Sequence, residues 1–191
     1  MVGDYGTKRA AMSRSPSRRA VPPLGPEQLH EHALRYVAKY ATTRSKLRDY
    51  LRRKIRERGW SGTDEPAVDA LVERMARSGL VDDATYALSK ARSLSERGYG
   101  AGRIGQALRA SGVGEEDGAG ARELAEERAA DAAIRFARRR RIGPFASERA
   151  DPRTREKSLA AMVRAGHGFE IARKLVDWEP GAPISPEDIA Y

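Results

Sequence analysis

The chain repeats itself. An aromatic residue followed by a small or branched one stands at Tyr36-Val37, Tyr86-Ala87 and Phe136-Ala137, 50 residues apart each time. A second landmark, two apolar residues four apart followed by arginine, runs Leu47 to Leu51-Arg52, Ile104 to Leu108-Arg109 and Leu159 to Val163-Arg164, at offsets of 57 and 55. Two landmarks in the same order three times mark tandem units. Units this short each hide only part of their apolar surface, so stacked neighbours share a narrow core and leave an elongated body. An aromatic share of only 6% suits such a core better than one large globule.

Within the units the apolar spacing is helical. Leu29, Ala33, Tyr36, Val37 and Tyr40 fall on one face of a first helix. Leu47, Leu51 and Ile55 form a second stripe stopped at Gly59, with Trp60 folding back as a cap contact. Val68, Leu71, Val72 and Met75 form a third, entered through Thr63-Asp64-Glu65-Pro66 and left at Gly79. Gly112 and Gly166 close the equivalent helices of the later copies. The third helix of the middle copy has the poorest pattern, because Gly114, Gly118 and Gly120 surround Glu115-Glu116-Asp117 and each interior glycine costs a helix about 1 kcal/mol. No alternating run of strand-forming residues stands out. The expectation is an all-α, elongated array of three tandem three-helix repeats, residues 27–82, 83–125 and 126–178. Residues 1–26, rich in Gly, Ser, Pro, Arg and Lys, read as a disordered basic arm, and 179–191, with Pro180, Pro183 and Pro186, as a flexible tail.

Charge narrows the function. Lys and Arg number 36 against 27 Asp and Glu, a net +9, so a polyanion is the natural partner. With no cysteine there are no disulfides, thiolate metal sites or thiol nucleophiles. No run approaches the roughly 20 apolar residues of a membrane-spanning helix, and no signal-peptide pattern is present, which points to the cytoplasm. Gly100-Ala101-Gly102-Arg103-Ile104-Gly105 spells the dinucleotide fingerprint, but the polar stretch Arg92 to Arg97 stands where a hydrophobic strand is required. The glycines read instead as a helix stop at Gly98 with a flexible re-entry. His30 and His32 point to different sides of a helix and His167 stands alone, so no metal, cofactor or catalytic set is expected.

Arg44, Arg48, Arg52 and Arg56 recur every four residues, with Lys46, Arg53, Lys54 and Arg58 nearby, giving the second helix a basic stripe beside its apolar one. Such a stripe neutralises phosphates, meets acidic side chains, or is a solvated face. A second basic cluster, Arg135 with Arg138 to Arg141, ends a helix, where cations also favour the negative end of the dipole. Tyr36, Tyr86 and Phe136 lie on apolar faces and are expected in cores.

Three segments resemble the RecX family of recombination regulators. Thr43 to Leu51 is similar to the family's S-x-x-E-L-x-x-x-L segment, Gly79-Leu80-Val81-Asp82-Asp83-Ala84-Thr85-Tyr86-Ala87 to its G-(Y/L)-(L/V)-D-D-x-x-(F/Y)-A segment, and Gly98-Tyr99-Gly100-Ala101-Gly102-Arg103-Ile104 to its G-Y-G-x-x-R-I segment. The resemblance runs from about residue 29 to 178. Lys46 departs from the family's usual glutamate, which removes the capping box with Thr43. The glycines at 114, 118 and 120 and the basic arm are further departures.

The resemblance implies a non-enzymatic protein of DNA recombination, DNA repair and the SOS response, and the absence of a long heptad seam leads to the expectation of a monomer. It implies binding to the RecA filament on single-stranded DNA, in its helical groove or at its growing end, lowering its ATPase, strand-exchange and co-protease activities. It also implies sequence-independent contact with nucleic-acid phosphates. The contact candidates are Arg44, Arg48, Arg52, Arg53, Arg103, Arg109 and Arg164, chosen by charge and helix position. Of these, Arg52, Arg109 and Arg164 occupy equivalent landmark positions and are expected to line one face. The competing reading is a free-standing helical DNA-binding protein such as a transcriptional regulator, which prefers one duplex site by several kcal/mol.

Overall fold

The computed structural model describes residues 22–190. Helices α1 (Pro26–Lys39), α2 (Arg44–Arg58) and α3 (Val68–Arg77) come first; α4 (Asp83–Glu96), α5 (Ala101–Ala110) and α6 (Glu115–Glu127) follow; then α7 (Ala129–Arg140), a 3-10 turn (Gly143–Phe145), α8 (Pro152–Arg164), α9 (Phe169–Asp177) and the short α10 (Pro186–Ile189). Each set of three closes around its own core. Leu47, Leu51, Leu71, Val72 and Met75 fill the first. Ala87, Ala91, Ile104, Leu108, Ala121 and Ala125 fill the second. Phe136, Met162, Ile171, Leu175 and Ile189 fill the third. The fold is the all-α tandem array that the repeats require, and among the described residues the one β feature is an isolated bridge between Leu24 and Trp60.

The middle core is small-walled. Ala87 and Ala91 of α4 are fully buried, as are Gly118, Ala121 and Ala125 of α6, so the two backbones approach closely. Helix α6 forms despite its glycines: Gly118 is buried beneath the Arg122 side chain of the same helix, and Glu115, Glu116 and Asp117 lie at the positive end of the helix dipole. The Arg122 guanidinium reaches back to the Glu115 carbonyl at 2.7 Å, lying along the first turn of the helix.

Successive units join head to tail through their second helices. The N–H groups of Gly100 and Gly102, at the start of α5, donate to the carbonyls of Ala165 and Gly166, at the end of α8, both at 3.0 Å. One junction earlier the Thr43 hydroxyl, at the start of α2, donates to the carbonyl of Ser111, at the end of α5, at 2.6 Å. Each contact sets the positive end of one helix dipole on the negative end of the next. Glycine is needed at the second junction: a methyl on Gly100 would overlap the Gly166 carbonyl, and Gly166 itself, at φ +90°, has the Arg103 backbone where a Cβ would stand. The glycines of the fingerprint-like stretch are thus close-packing positions, and the re-entry expected to be flexible is pinned.

Buried residues stand inside both the expected arm and the expected tail. Residues 1–21 of the arm lie outside the described residues. Leu24, assigned to the same arm, is fully buried and pairs with Gly59 and Ser61 through its N–H and carbonyl. In the expected tail, Pro186–Ile189 forms α10 and Ile189 is fully buried in the third core. Two isolated apolar residues supply the burial that composition averages away. The third landmark is also one residue out of register. Met162 is fully buried where Leu108 is buried in the second unit, and Val163 is 45% exposed. Gly112 and Gly166, each closing its helix, are 54 apart, which pairs Arg164 with Ala110 and removes Arg164 from the set with Arg52 and Arg109.

Gly166→Ala tests the second junction against Gly79→Ala, where φ is +74° but nothing lies within 4 Å. Urea unfolding is expected to show Gly79→Ala losing about 1–2 kcal/mol from backbone strain alone and Gly166→Ala losing about 1–3 kcal/mol more through overpacking. Equal losses would mean that the close approach contributes nothing.

Candidate functional site

The basic stripe on α2 is partly paired with acids, Arg48 and Arg52 sharing one carboxylate of a neighbouring helix and Arg56 making no salt bridge among the described residues. Asp69 of α3 accepts from Arg48 Nε at 2.5 Å and from Arg52 at 3.1 Å, and the Arg48 hydrogen bond is the main cause holding its carboxyl below the usual range. Glu57 pairs with Lys54 at 2.6 Å and Arg53 at 3.6 Å. Arg44 lies 3.6 Å from Asp117 of α6, across the first junction. Exposed pairs of this sort contribute little stability, yet they turn the stripe into a mixed-charge face. Arg109 is exposed on α5, away from these pairs.

Arg103 and Arg164, by contrast, meet in one groove at the second junction. It is an open concavity of about 650 Å³ lined by Arg97, Tyr99, Arg103, Phe136, Arg139, Arg140, Ala161, Arg164 and Ala165. Five arginines line it and no acid does. Among the described residues none of the five makes a salt bridge within 4 Å. Arg103 donates to the Gln106 side-chain oxygen at 2.8 Å, and Arg139 to the Arg97 carbonyl at 2.6 Å, which clamps the end of α4 to α7. Arg97 sits over the Tyr99 ring at 5.4 Å, and Arg139 and Arg140 flank Phe136 at 5.6 and 5.7 Å. Guanidinium groups grip phosphate oxygens in bidentate fashion, and a groove of five with no carboxylate among its lining residues has the chemistry to suit a phosphoanion.

The groove explains the G-Y-G-x-x-R stretch residue by residue. Gly98 stops α4 at φ +75° and lies against the α7 backbone at Phe136. Tyr99 packs against both the second and third cores. Gly100 admits the end of α8, and Arg103 then projects from the first turn of α5. Arg97, Arg139 and Arg140 escaped the sequence analysis as site residues. The run Arg138 to Arg141 was visible, but a helix end accounts for it equally well, and only the docking of α7 beside α4 shows its use.

The first junction is as tight as the second, a Cβ on Gly112 overlapping the Ser45 side chain, and it is more polar. The Asp83 carboxylate accepts from the Arg44 N–H at 2.9 Å, and burial pushes it above the usual carboxylate range. Lys46 donates to the Tyr86 hydroxyl at 2.5 Å, and Tyr86 OH lies 3.3 Å from the Ser111 hydroxyl. The departure from glutamate at Lys46 therefore has a use: the lysine ties α2 to α4, and Thr43 still caps α2 by accepting from the Lys46 N–H at 3.2 Å.

Residues 82–121, the middle unit, match the family model described as RecX, second three-helix domain. The chain is 39% identical over 171 residues to Regulatory protein RecX of Myxococcus xanthus, an alignment covering 82% of this chain and 88% of that protein. It is 32% identical over 138 residues to Regulatory protein RecX of Agrobacterium fabrum, covering 70% and 73%. The crystal structure of RecX from Lactobacillus salivarius superposes with a TM-score of 0.57 at 18% identity, over 78% of this chain and 93% of that one, a likeness of fold.

His167 lies behind the arginine groove, its ring edge-on to Phe136 at 5.3 Å. Burial pushes its pKa down to about 4, against a smaller opposing effect of a Gly98 backbone hydrogen bond. The unfolded chain therefore binds this proton from about pH 6.5 downward while the folded chain refuses it until about pH 4. Stability is complete above the unfolded value and falls as pH drops, by on the order of 3 kcal/mol between pH 7 and pH 4. In urea titrations, His167→Gln is expected to shrink the pH 7 to pH 4 difference by that amount. An unchanged difference would show that another group governs the acid limit.

Proposed function

The chain belongs to the RecX family of regulatory proteins, and on that footing we propose that it binds the RecA nucleoprotein filament and lowers its ATPase, strand-exchange and co-protease activities. The observation that supports this most is the second-junction groove, where Arg97, Arg103, Arg139, Arg140 and Arg164 converge with no acid among the lining residues. An array of three units with five arginines gathered at one junction suits a partner that offers phosphate and protein surface together. Contact with the phosphates is independent of base sequence and weakens steeply with salt, because neutralised phosphates release counterions. The protein acts as a monomer in the cytoplasm, in DNA repair and the SOS response, and carries out no chemical step.

The test is the DNA-dependent ATPase of the cognate recombinase on single-stranded DNA, titrated with this protein at moderate salt. Inhibition is expected well below one molecule per recombinase subunit. No effect at equal ratios, together with tight binding to one preferred duplex sequence, would replace this reading with that of a transcriptional regulator.

A further inference from the structure

The arginine groove does not end at the second junction. Arg97, Tyr99 and Arg103 also line a second concavity, which continues along α4 and α5 to Lys90. Lys90 in turn lines a third, bounded by Thr42, Leu80, Thr85, Ser89 and the exposed ring of Tyr40. The shared walls make one trough. Its floor is a single face of α4, where Tyr86, Ser89, Lys90, Ser93 and Arg97 recur at helical spacing. From Thr85 to Arg97 this face is about 18 Å long at 1.5 Å per residue.

The chemistry of the trough is graded. Arginines gather at one end, Lys90 and the hydroxyls of Ser89 and Ser93 stand in the middle, and Tyr40, 49% exposed, stands at the other end beside Leu80. Asp82 is the only acid among the lining residues, and its carboxylate is occupied by the N–H and hydroxyl of Thr85 at 2.8 and 2.7 Å. The buried hydroxyl of Thr42 has no hydrogen-bond partner among the described residues. No residue of the acidic helix α6 lines any part of it.

We propose that this trough is a track for a single strand of nucleic acid, its phosphates held by Arg97, Arg103 and Arg164 and its bases turned onto Tyr99 and Tyr40. A duplex keeps its base faces stacked inside and offers only phosphates, so it has no use for rings sunk among the cations. A single strand offers phosphates and open base faces together, the two features that charged grooves with aromatic platforms read. The length suits on the order of four nucleotides, at the low end of such sites. This deepens the filament reading by naming which part of the nucleoprotein the trough touches, and its test needs no recombinase, so either fails without the other.

The test is fluorescence anisotropy of the full chain with labelled oligo-dT of 12 nucleotides and with a duplex of equal length. The single strand is expected to bind at least tenfold more tightly. R97Q/R103Q/R164Q is expected to weaken it at least tenfold and to flatten the slope of log K against log salt by about 2, since each phosphate contact on a single strand contributes about 0.7. Tyr40→Leu, at an exposed position, is expected to weaken it several-fold with the slope unchanged, and R48Q/R52Q to leave it unaltered. Circular dichroism melts confirm that each variant folds. Duplex binding as tight as the single strand, an unchanged constant for the triple variant, or an unchanged constant for Tyr40→Leu would each overturn the track. A triple variant that loses the oligonucleotide yet still inhibits the recombinase supports the track and separates it from filament inhibition.

Discussion

Everything distinctive in this molecule depends on backbone meeting backbone where one unit's second helix begins and the next unit's second helix ends. The Gly100 and Gly102 N–H groups and the Ala165 and Gly166 carbonyls would each be unpaired helix-end groups in an isolated unit. Pairing them across the junction satisfies both ends at once and fixes how far α8 stands from α4 and α5. That distance brings Arg164 and Arg140 of the third unit to Arg97 and Arg103 of the second. A side chain larger than hydrogen at Gly100 or Gly166 would part the walls of the groove, so the glycines serve the charge cluster as much as the fold.

The two junctions are built differently. The second is backbone against backbone, braced by Tyr99 between two cores and by Arg139 on the Arg97 carbonyl. The first is made of side chains: Thr43 on Ser111, Arg44 on Asp83 and Asp117, Lys46 on Tyr86. Charge follows the same division. Asp69 of α3, Asp117 of α6 and Glu57 of α2 itself answer part of the charge along α2, whereas the arginines lining the second junction make no salt bridge among the described residues.

Much of the fold was legible because helix ends announce themselves. Gly59, Gly79, Gly98, Gly112 and Gly166, read as stops, all have positive φ. The site was legible only in part. An i, i+4 ladder such as Arg44 to Arg56 is visible from sequence, but the Asp69 that pairs with Arg48 and Arg52 sits on another helix. The groove draws on positions from 97 to 164 with no local period, so its charge emerges only when the units dock. The slip at Val163 has a similar origin. Residues 162 and 163 are both apolar, and only packing shows that Met162 takes the core position. At the chain ends, Leu24 and Ile189 are single apolar residues among prolines, too sparse to outweigh composition.

The central claim is that the arginines gathered at the second junction, not the stripe on α2, meet the nucleoprotein filament. The most direct measurement is the rate of phenylglyoxal modification at each arginine, read by mass spectrometry of the protein alone and bound to recombinase filaments on single-stranded DNA. Protection is predicted at Arg97, Arg103, Arg140 and Arg164, with Arg48, Arg52 and Arg53 modified at unchanged rates. Protection confined to the α2 arginines, with the groove still reactive, would contradict the account.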